Sequence, residues 1–320
     1  MERNLSVAQL VPGCEFEGFY LLRAAEVRNT ASGKPFLTMK LADKTGEIDA
    51  KLWDYSGPIG HADEGGVVKV RGVVTEYRGA PQVNVGRLRL AADGDRYDPE
   101  ALVPCAPIDA QEAMAQLRAL VESISDEDYR AVSLLLLERH TERLMTIPAG
   151  KSMHHAFRAG LLMHTCSMLR LADFLAALYA DTVDRSLLLS GTLLHDIGKE
   201  REFTLSPLGL VTEYSLSGQL LGHLVLGAQE VMQAAQELGL PEEKTVLLGH
   251  MLVSHHGEPE YGAAVRPACA EAELLSFIDR IDSRMEICRT ALAETPVGTF
   301  SERLYALENR RIYHHEGTDI

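Results

Sequence analysis

The hydrophobic period of this chain changes once, near residue 100, and that change limits what it can fold into. From Glu15 to Leu90, short runs alternate apolar and polar residues: Phe16 to Leu22, Phe36 to Leu41, Ile48 to Trp53, Val67 to Val74 and Gln82 to Leu90. A period of two marks half-buried strands. Ala42-Asp-Lys-Thr-Gly46 and Arg78-Gly-Ala-Pro81 separate neighbouring runs with residues suited to tight turns. Beyond residue 109 the spacing of apolar residues becomes helical.

Five short strands with one intervening segment, Ser56 to Gly66, predict an all-β Greek-key barrel of the OB type over residues 1–90. Another small barrel or sandwich is the competing reading. Residues 91–109 are rich in Ala, Asp and Pro and read as a linker. Over 110–320 the pattern predicts an all-α bundle, making the chain multidomain. Its helices are expected at Ala110–Arg139, His155–Ala180, Asp184–Asp196, Ser217–Leu238, Pro241–His255, Ala270–Ala293 and Ser301–Asn309, with a loop or short hairpin over 200–216.

Composition excludes several classes. Uncharged apolar stretches such as Ser186 to Leu194 fall short of the ~20 residues that a membrane span needs. The first residues, MERNLSVAQLVPGCEFE, have no apolar core of a secretory signal. Five widely spaced cysteines with no CxxC pair read as reduced thiols of a cytoplasmic protein. The net charge of −15 is unevenly placed: residues 1–90 hold 12 basic against 11 acidic side chains, and the rest 19 against 35. The acidic balance therefore does not exclude a nucleic-acid partner for the first part.

Most of the twelve histidines fall in the helical part, where His164, His195-Asp196, His223, His255-His256 and Asp279 follow one another at intervals of roughly one helix and a turn. On the Ala270–Ala293 helix, Leu274, Ile278, Ile281, Met285 and Cys288 form the expected apolar stripe, bordered by Asp279 and Asp282. Leu220, Leu224, Ala228 and Val231 do the same beside His223. A bordering histidine taken alone is more often a hydrogen-bonded structural group than a ligand. An adjacent His195-Asp196 followed by Ile-Gly-Lys199 offers mixed nitrogen and oxygen donors that suit a divalent metal. No Ser-His-Asp or phosphate-loop pattern competes with it.

His164, His195-Asp196 and Asp279 resemble the H…HD…D signature of the HD-domain metal-dependent phosphohydrolases, and His223 with His255-His256 resembles their dinuclear branch. With the barrel in front, KPFLTMKLADKTGEIDAKLWD, HHAFRAGLLMHT, LLHDIGK, GQLLGHLVLG, SHHGEPEYG and FIDRID are similar to the YhaM-type exoribonucleases over about residues 5 to 310. The resemblance implies a 3′→5′ exonuclease that hydrolyses single-stranded RNA, and also single-stranded DNA, to 5′-mononucleotides by a metal-bound hydroxide. It implies two divalent ions, Mn²⁺ favoured over Fe²⁺, Co²⁺, Mg²⁺ or Zn²⁺. His164, His195, Asp196 and Asp279 would hold one, and Asp196 would bridge to a second on His223, His255 and His256. Lys199 would contact the substrate phosphate. Asp282 is the alternative to Asp279, and His250 a supporting or structural group. His154 and Arg158, upstream of His164, are candidate donors to phosphate or the leaving oxygen, ranked above His155.

Two other readings stand beside this one. A cyclic-dinucleotide or small-nucleotide phosphodiesterase shares the ligand set, but here His255-His256 runs into Gly-Glu-Pro-Glu-Tyr-Gly262 without the G-Y-P ending of one such family. A non-catalytic nucleic-acid-binding regulator would need only a closed four-ligand structural metal. For the barrel, stacking on aromatic rings and basic contacts to the backbone are the expected mode. Tyr20, Phe36, Trp53 and Tyr77 are the possible platforms, most of them expected in the core, with Tyr77-Arg78 the exposed pair. Lys34, Lys40, Lys51, Arg71 and Arg87 are the further candidate backbone contacts.

Overall fold

The computed structural model describes residues 4–103, 105–150, 157–206 and 208–318. The chain divides into two compact units, Met1–Cys105 with Leu205–Thr212, and Ala106–Thr204 with Glu213–Ile320.

In the first unit, β1 (Glu15–Asn29), β2 (Pro35–Asp43), β3 (Gly46–Trp53), β4 (Val67–Tyr77) and β5 (Ala80–Leu90) close into a barrel of order β1-β2-β3-β5-β4. All pairs are antiparallel except β3 with β5, which run parallel over Asp49–Lys51 and Gln82–Asn84. This is the OB arrangement. Alternation builds the interior: Leu37, Met39 and Leu41 of β2 point inward with Val68 and Val70 of β4 and Val83 of β5. Tyr20 is fully buried among them, its hydroxyl donating to the Leu5 carbonyl at 2.7 Å. The β2–β3 turn is fixed by Asp43, whose carboxylate accepts from the Thr45 N–H at 2.7 Å and the Val7 N–H at 2.7 Å.

β1 extends beyond the apolar run. Its first half pairs with β4 and its second with β2, the register shifting between Leu22 and Ala24. Such a bulge bends one strand enough to serve two neighbours. Past residue 90, α1 (Pro99–Leu102) starts at Asp98, which accepts from the Glu100 N–H. Leu102 and Val103 are buried with Leu21, Ala42, Val67 and Leu208, so part of the expected linker belongs to the barrel's own packing.

The second unit contains α2 (Ala110–Glu122), α3 (Glu127–Leu144), α4 (Gly160–Leu178), α5 (Arg185–Leu194), α6 (Lys199–Glu202), α7 (Leu216–Leu238), α8 (Glu242–Ser254) and α9 (Ala270–Ala293). The expected hairpin after α6 is formed by β6 (Phe203–Leu205) and β7 (Val211–Tyr214). α4 packs on α2, α5 and α9, and α5 on α3, α8 and α9, which places α4 and α5 at the centre. α4 is apolar and long enough, by composition, to cross a membrane. Its inward residues His164, Thr165, Met168, Leu169 and Ala172 make it a core helix of this bundle.

Two helix expectations are corrected. Ala110–Arg139 is broken into α2 and α3, because Asp126 accepts from the N–H groups of Asp128 and Tyr129 and starts a new helix. Ser301–Asn309 forms isolated bridges, Phe300 to Tyr313 and Leu304 to Arg310, around a 3₁₀ turn at Tyr305–Leu307. Glu308 and Asn309 lie in the left-handed region, which ends that turn.

α3, α6 and α7 are joined through His140, whose two ring nitrogens meet Glu200 and Glu230. Burial opposes its charge, but the two carboxylates outweigh burial and raise its pKa from 6.5 to about 9. The raised folded pKa means that this proton stabilises the fold fully below about pH 6.5, and the contribution disappears as pH rises through about 9. In thermal melts across that window, His140→Ala is expected to remove a stability loss on the order of 2 kcal/mol that the parent shows. Parallel pH profiles of parent and variant would contradict this role.

Candidate metal centre

α5 ends at Leu194, and the chain turns through His195-Asp196-Ile197-Gly198 into α6. Gly198 is required there: a Cβ would lie 2.1 Å from the His223 carbonyl oxygen and 2.6 Å from the Gly227 nitrogen. The turn thus rests directly on the backbone of α7. α7 is kinked at Gly222, with φ 72° and ψ 163°, a conformation that glycine adopts without strain. That kink presents both the N–H and the ring of His223 to Glu202, each 3.0 Å from Oε1. It also breaks the apolar stripe: Leu220, expected in the core, is 74% exposed, whereas Leu224, Ala228 and Val231 are buried.

The candidate residues converge on Asp196, which is buried. Its Oδ1 lies 3.3 Å from His223 Nε2 and 3.9 Å from His255 Nε2. Its Oδ2 lies 3.2 Å from His195 Nε2 and 3.7 Å from His164 Nε2. Each oxygen therefore faces a different set of donors. The sets are His223, His255 and His256 on one side and His164, His195 and Asp196 itself on the other, with donor atoms within 4.8 Å of one another in each set. Asp279 Oδ1 is 3.4 Å from His164 Nε2, joining the second set. Lys199 Nζ is 2.6 Å from Asp196 Oδ2.

The outer ring nitrogens fix the tautomers. His195 Nδ1 donates to the Thr192 carbonyl at 2.8 Å and His255 Nδ1 to the Leu252 carbonyl at 2.7 Å. Since a carbonyl only accepts, each of these rings carries a proton on Nδ1 and turns its Nε2 inward. His223 Nδ1 is held by Glu202, and His164 Nδ1 by Asp282 Oδ2 at 2.7 Å. Asp282 thus orients a histidine from behind while Asp279 faces the centre.

These donors fit divalent cations. Among the described residues, His223 Nε2, His255 Nε2 and His256 Nδ1 are buried without a hydrogen-bond partner, an arrangement that is costly unless a cation completes it. The Nε2 atoms of His164 and His195 stand 3.3 Å apart. Burial disfavours charge on His164, but Asp279 and Asp282 overcome it and raise its pKa to about 9. Burial, reinforced by neighbouring His256 and His195, drives the His255 pKa far down and keeps the ring neutral. Burial, with His223, also lowers His256. Asp196 stays ionised although burial raises its pKa, because Lys199, His195 and His223 together pull it well below the carboxylate range.

Not every candidate joins this centre. His154 lies outside the described residues, as does His155. Arg158 is half-buried, its carbonyl accepting the Ala106 N–H at 2.9 Å. Among the described residues its side chain makes no ion pair with the cluster. His250 accepts the Ala268 N–H at 2.9 Å and steadies the chain before α9.

On the barrel, Tyr77, expected to be exposed, lies outside, and so does Trp53, whereas Tyr20 is in the core. Trp53 is 46% and Tyr77 48% exposed, and Phe36 stacks beside Trp53 with centroids 5.0 Å apart. Lys51 Nζ lies 5.9, 5.5 and 4.9 Å from the Phe36, Trp53 and Tyr77 centroids, and Arg78 lies 5.4 Å from that of Tyr77. Lys34 pairs with Asp54 at 3.3 Å, and Lys40 with Glu47 at 3.4 Å. Arg71 and Arg87 are cross-strand partners on a groove of about 530 Å³ shared with Lys69 and Arg89.

A model of the HD domain matches residues 161–284, and one of an OB-fold nucleic-acid-binding domain matches residues 24–91. The 3′-5′ exoribonuclease YhaM of Geobacillus sp. (strain WCH70) is 38% identical over 300 residues, covering 92% of this chain and 90% of that protein. The proteins of the same name from Halalkalibacterium halodurans and Bacillus subtilis (strain 168) are 36% and 37% identical, covering 98% and 92% of this chain and 96% and 93% of their own lengths. Identity of this extent, spanning barrel and helical unit together, makes the chain a member of the YhaM family of 3′-5′ exoribonucleases.

Proposed function

We propose that this chain is a metal-dependent exoribonuclease that shortens single-stranded RNA from its 3′ end, releasing 5′-mononucleotides, with single-stranded DNA as a second substrate. One observation carries the reading: a single buried carboxylate, Asp196, turns one oxygen to each of two donor sets. His164, His195, Asp196 and Asp279 would hold one divalent ion, and Asp196, His223, His255 and His256 another. When bound, such a pair acidifies water at neutral pH and neutralises charge on the phosphate. Mn²⁺, the ion that the resemblance to this family implies, is the proposed one. Fe²⁺, Co²⁺, Mg²⁺ and Zn²⁺ are the alternatives to it.

The chain's own groups do the rest. Asp282 and Glu202 hold the His164 and His223 rings in register. Lys199, 2.6 Å from Asp196 Oδ2, is placed to meet a phosphate oxygen when that carboxylate is otherwise engaged. The barrel binds the strand through Phe36, Trp53, Tyr77, Lys51 and Arg78. The cytoplasm is the proposed place of action, in keeping with five cysteines outside any disulfide. A cyclic-dinucleotide hydrolase or a non-catalytic regulator finds no support among the named relatives.

Metal-stripped protein with Mn²⁺ restored should convert a 5′-labelled single-stranded RNA into a descending ladder. Intact RNA would overturn the reading and turn attention to cyclic dinucleotides. Asp282→Asn should weaken metal affinity about 10- to 100-fold, as loss of a ring-orienting partner does, with turnover recovering at high metal. Unchanged metal titration would remove Asp282 from that role.

A further inference from the structure

A cavity of about 630 Å³ opens beside the centre, with His255, His256 and Asp279 in its wall. That volume is in the range of pockets that bury a small ligand. Its other walls come from the segment before α9, from α9 itself and from the turn after residue 304. Along α9, Arg280, Ser283 and Arg284 line it beyond Asp279, with Ile287 further out and Glu273, Ser276 and Phe277 on the near side.

Two of these groups are free to act on a ligand. Arg280 is exposed and has no carboxylate partner among the described residues; its guanidinium lies 5.8 Å from the Tyr261 ring centroid. Tyr261 is 62% exposed and contributes nothing to a core. It is presented by a 3₁₀ turn, Pro259–Tyr261, that ends at Gly262 with φ 101°. Arg284, in contrast, is clasped by Glu308 through both carboxylate oxygens, at 2.8 and 3.0 Å, tying α9 to the turn after residue 304. Arg284 lies five residues beyond Asp279, roughly 7.5 Å along the helix. That is about the reach of one nucleoside from its 5′-phosphate.

We infer that this cavity receives the 3′-terminal nucleotide of the RNA, which rests on the exoribonuclease reading above. Tyr261 stacks on the terminal base, as aromatic rings do for single strands irrespective of sequence. Arg280 holds the phosphate side of that nucleotide, and the Arg284–Glu308 clasp bounds the cavity one nucleotide from the centre. The carboxylates and imidazoles at one end would meet the phosphate only through cations, whereas Arg280 meets it directly.

The test uses the full-length protein and two substrates, an RNA with a normal 3′-terminal nucleotide and one ending in an abasic ribonucleotide. The parent should remove the abasic residue with kcat/KM about tenfold lower, mainly through KM. In Tyr261→Ala the two ends should be cut alike. Equal treatment of both ends by the parent, or a Tyr261→Ala defect of the same size on both, would overturn the subsite. A second measurement is calorimetric binding of 5′-AMP to the Mn²⁺-loaded protein, expected to fall about tenfold in Tyr261→Ala and in Arg280→Ala, with partial recovery in Arg280→Lys. Absence of AMP binding, or unchanged affinity in the variants, would overturn it as well. RNA left intact by the parent together with Tyr261-dependent AMP binding would support the subsite and sink the exoribonuclease reading. Both side chains are exposed, so folding is not at stake.

Discussion

Asp196→Ala is expected to abolish RNA degradation, with a loss on the order of 10³-fold or more in kcat/KM. Asp196 alone among the described residues turns an oxygen to each donor set, so the substitution removes the shared element of the centre rather than one ligand among several. It also leaves Lys199, buried and 2.6 Å from the lost carboxylate, without its counter-ion. The resulting destabilisation, about 3 kcal/mol, lowers the melting temperature without unfolding the chain at 25 °C. Asp196→Asn separates the two effects, because it retains volume and a hydrogen-bond acceptor while removing the charge. Near-normal turnover in either variant, with the fold verified by circular dichroism, would refute a mechanism that depends on a shared carboxylate.

The second large effect is expected at the barrel. Trp53→Ala and Tyr77→Ala should each weaken single-stranded RNA binding about 10- to 100-fold, since one stacked base is worth about 1–3 kcal/mol. Lys51→Ala should act differently. It removes the charge over the three rings, so affinity should fall at low salt and the slope against salt concentration should shrink by about one contact. Fluorescence anisotropy with the Asp196→Ala protein measures binding without cleavage. Unchanged affinity in both aromatic variants would remove this face of the barrel from substrate binding.

The barrel was legible because alternation on five strands records which side faces inward, as Leu37, Met39 and Leu41 show on β2. The outward-facing positions of half-buried Phe36 and exposed Trp53 were not legible. They alternate like core residues, but on the outward side, and only the register that sets Phe36 opposite Trp53 reveals their pairing. The ligand set was readable as an ordered series of histidines and aspartates, while its convergence was not. That depends on Gly198 resting against α7 and on the kink at Gly222, neither of which alters composition.

α9 shows the same limit from the other direction. Its expected apolar stripe placed Ile281 and Met285 inside, yet both are exposed, and Asp282 and Glu286 face inward instead. A helix that serves a polar centre inverts the usual rule that the apolar side is the buried one. Glu202 was overlooked for a related reason. Nothing distinguishes it within Lys199-Glu-Arg-Glu202 until the fold brings it behind His223.

The central claim is that one carboxylate is shared between two cation sites. Anomalous diffraction from crystals of the Mn²⁺-loaded protein tests it directly. The account predicts two peaks ~3.5–4 Å apart, one beside His164, His195 and Asp279 and the other beside His223, His255 and His256, with Asp196 between them. A single peak, or two peaks that Asp196 does not join, would contradict it.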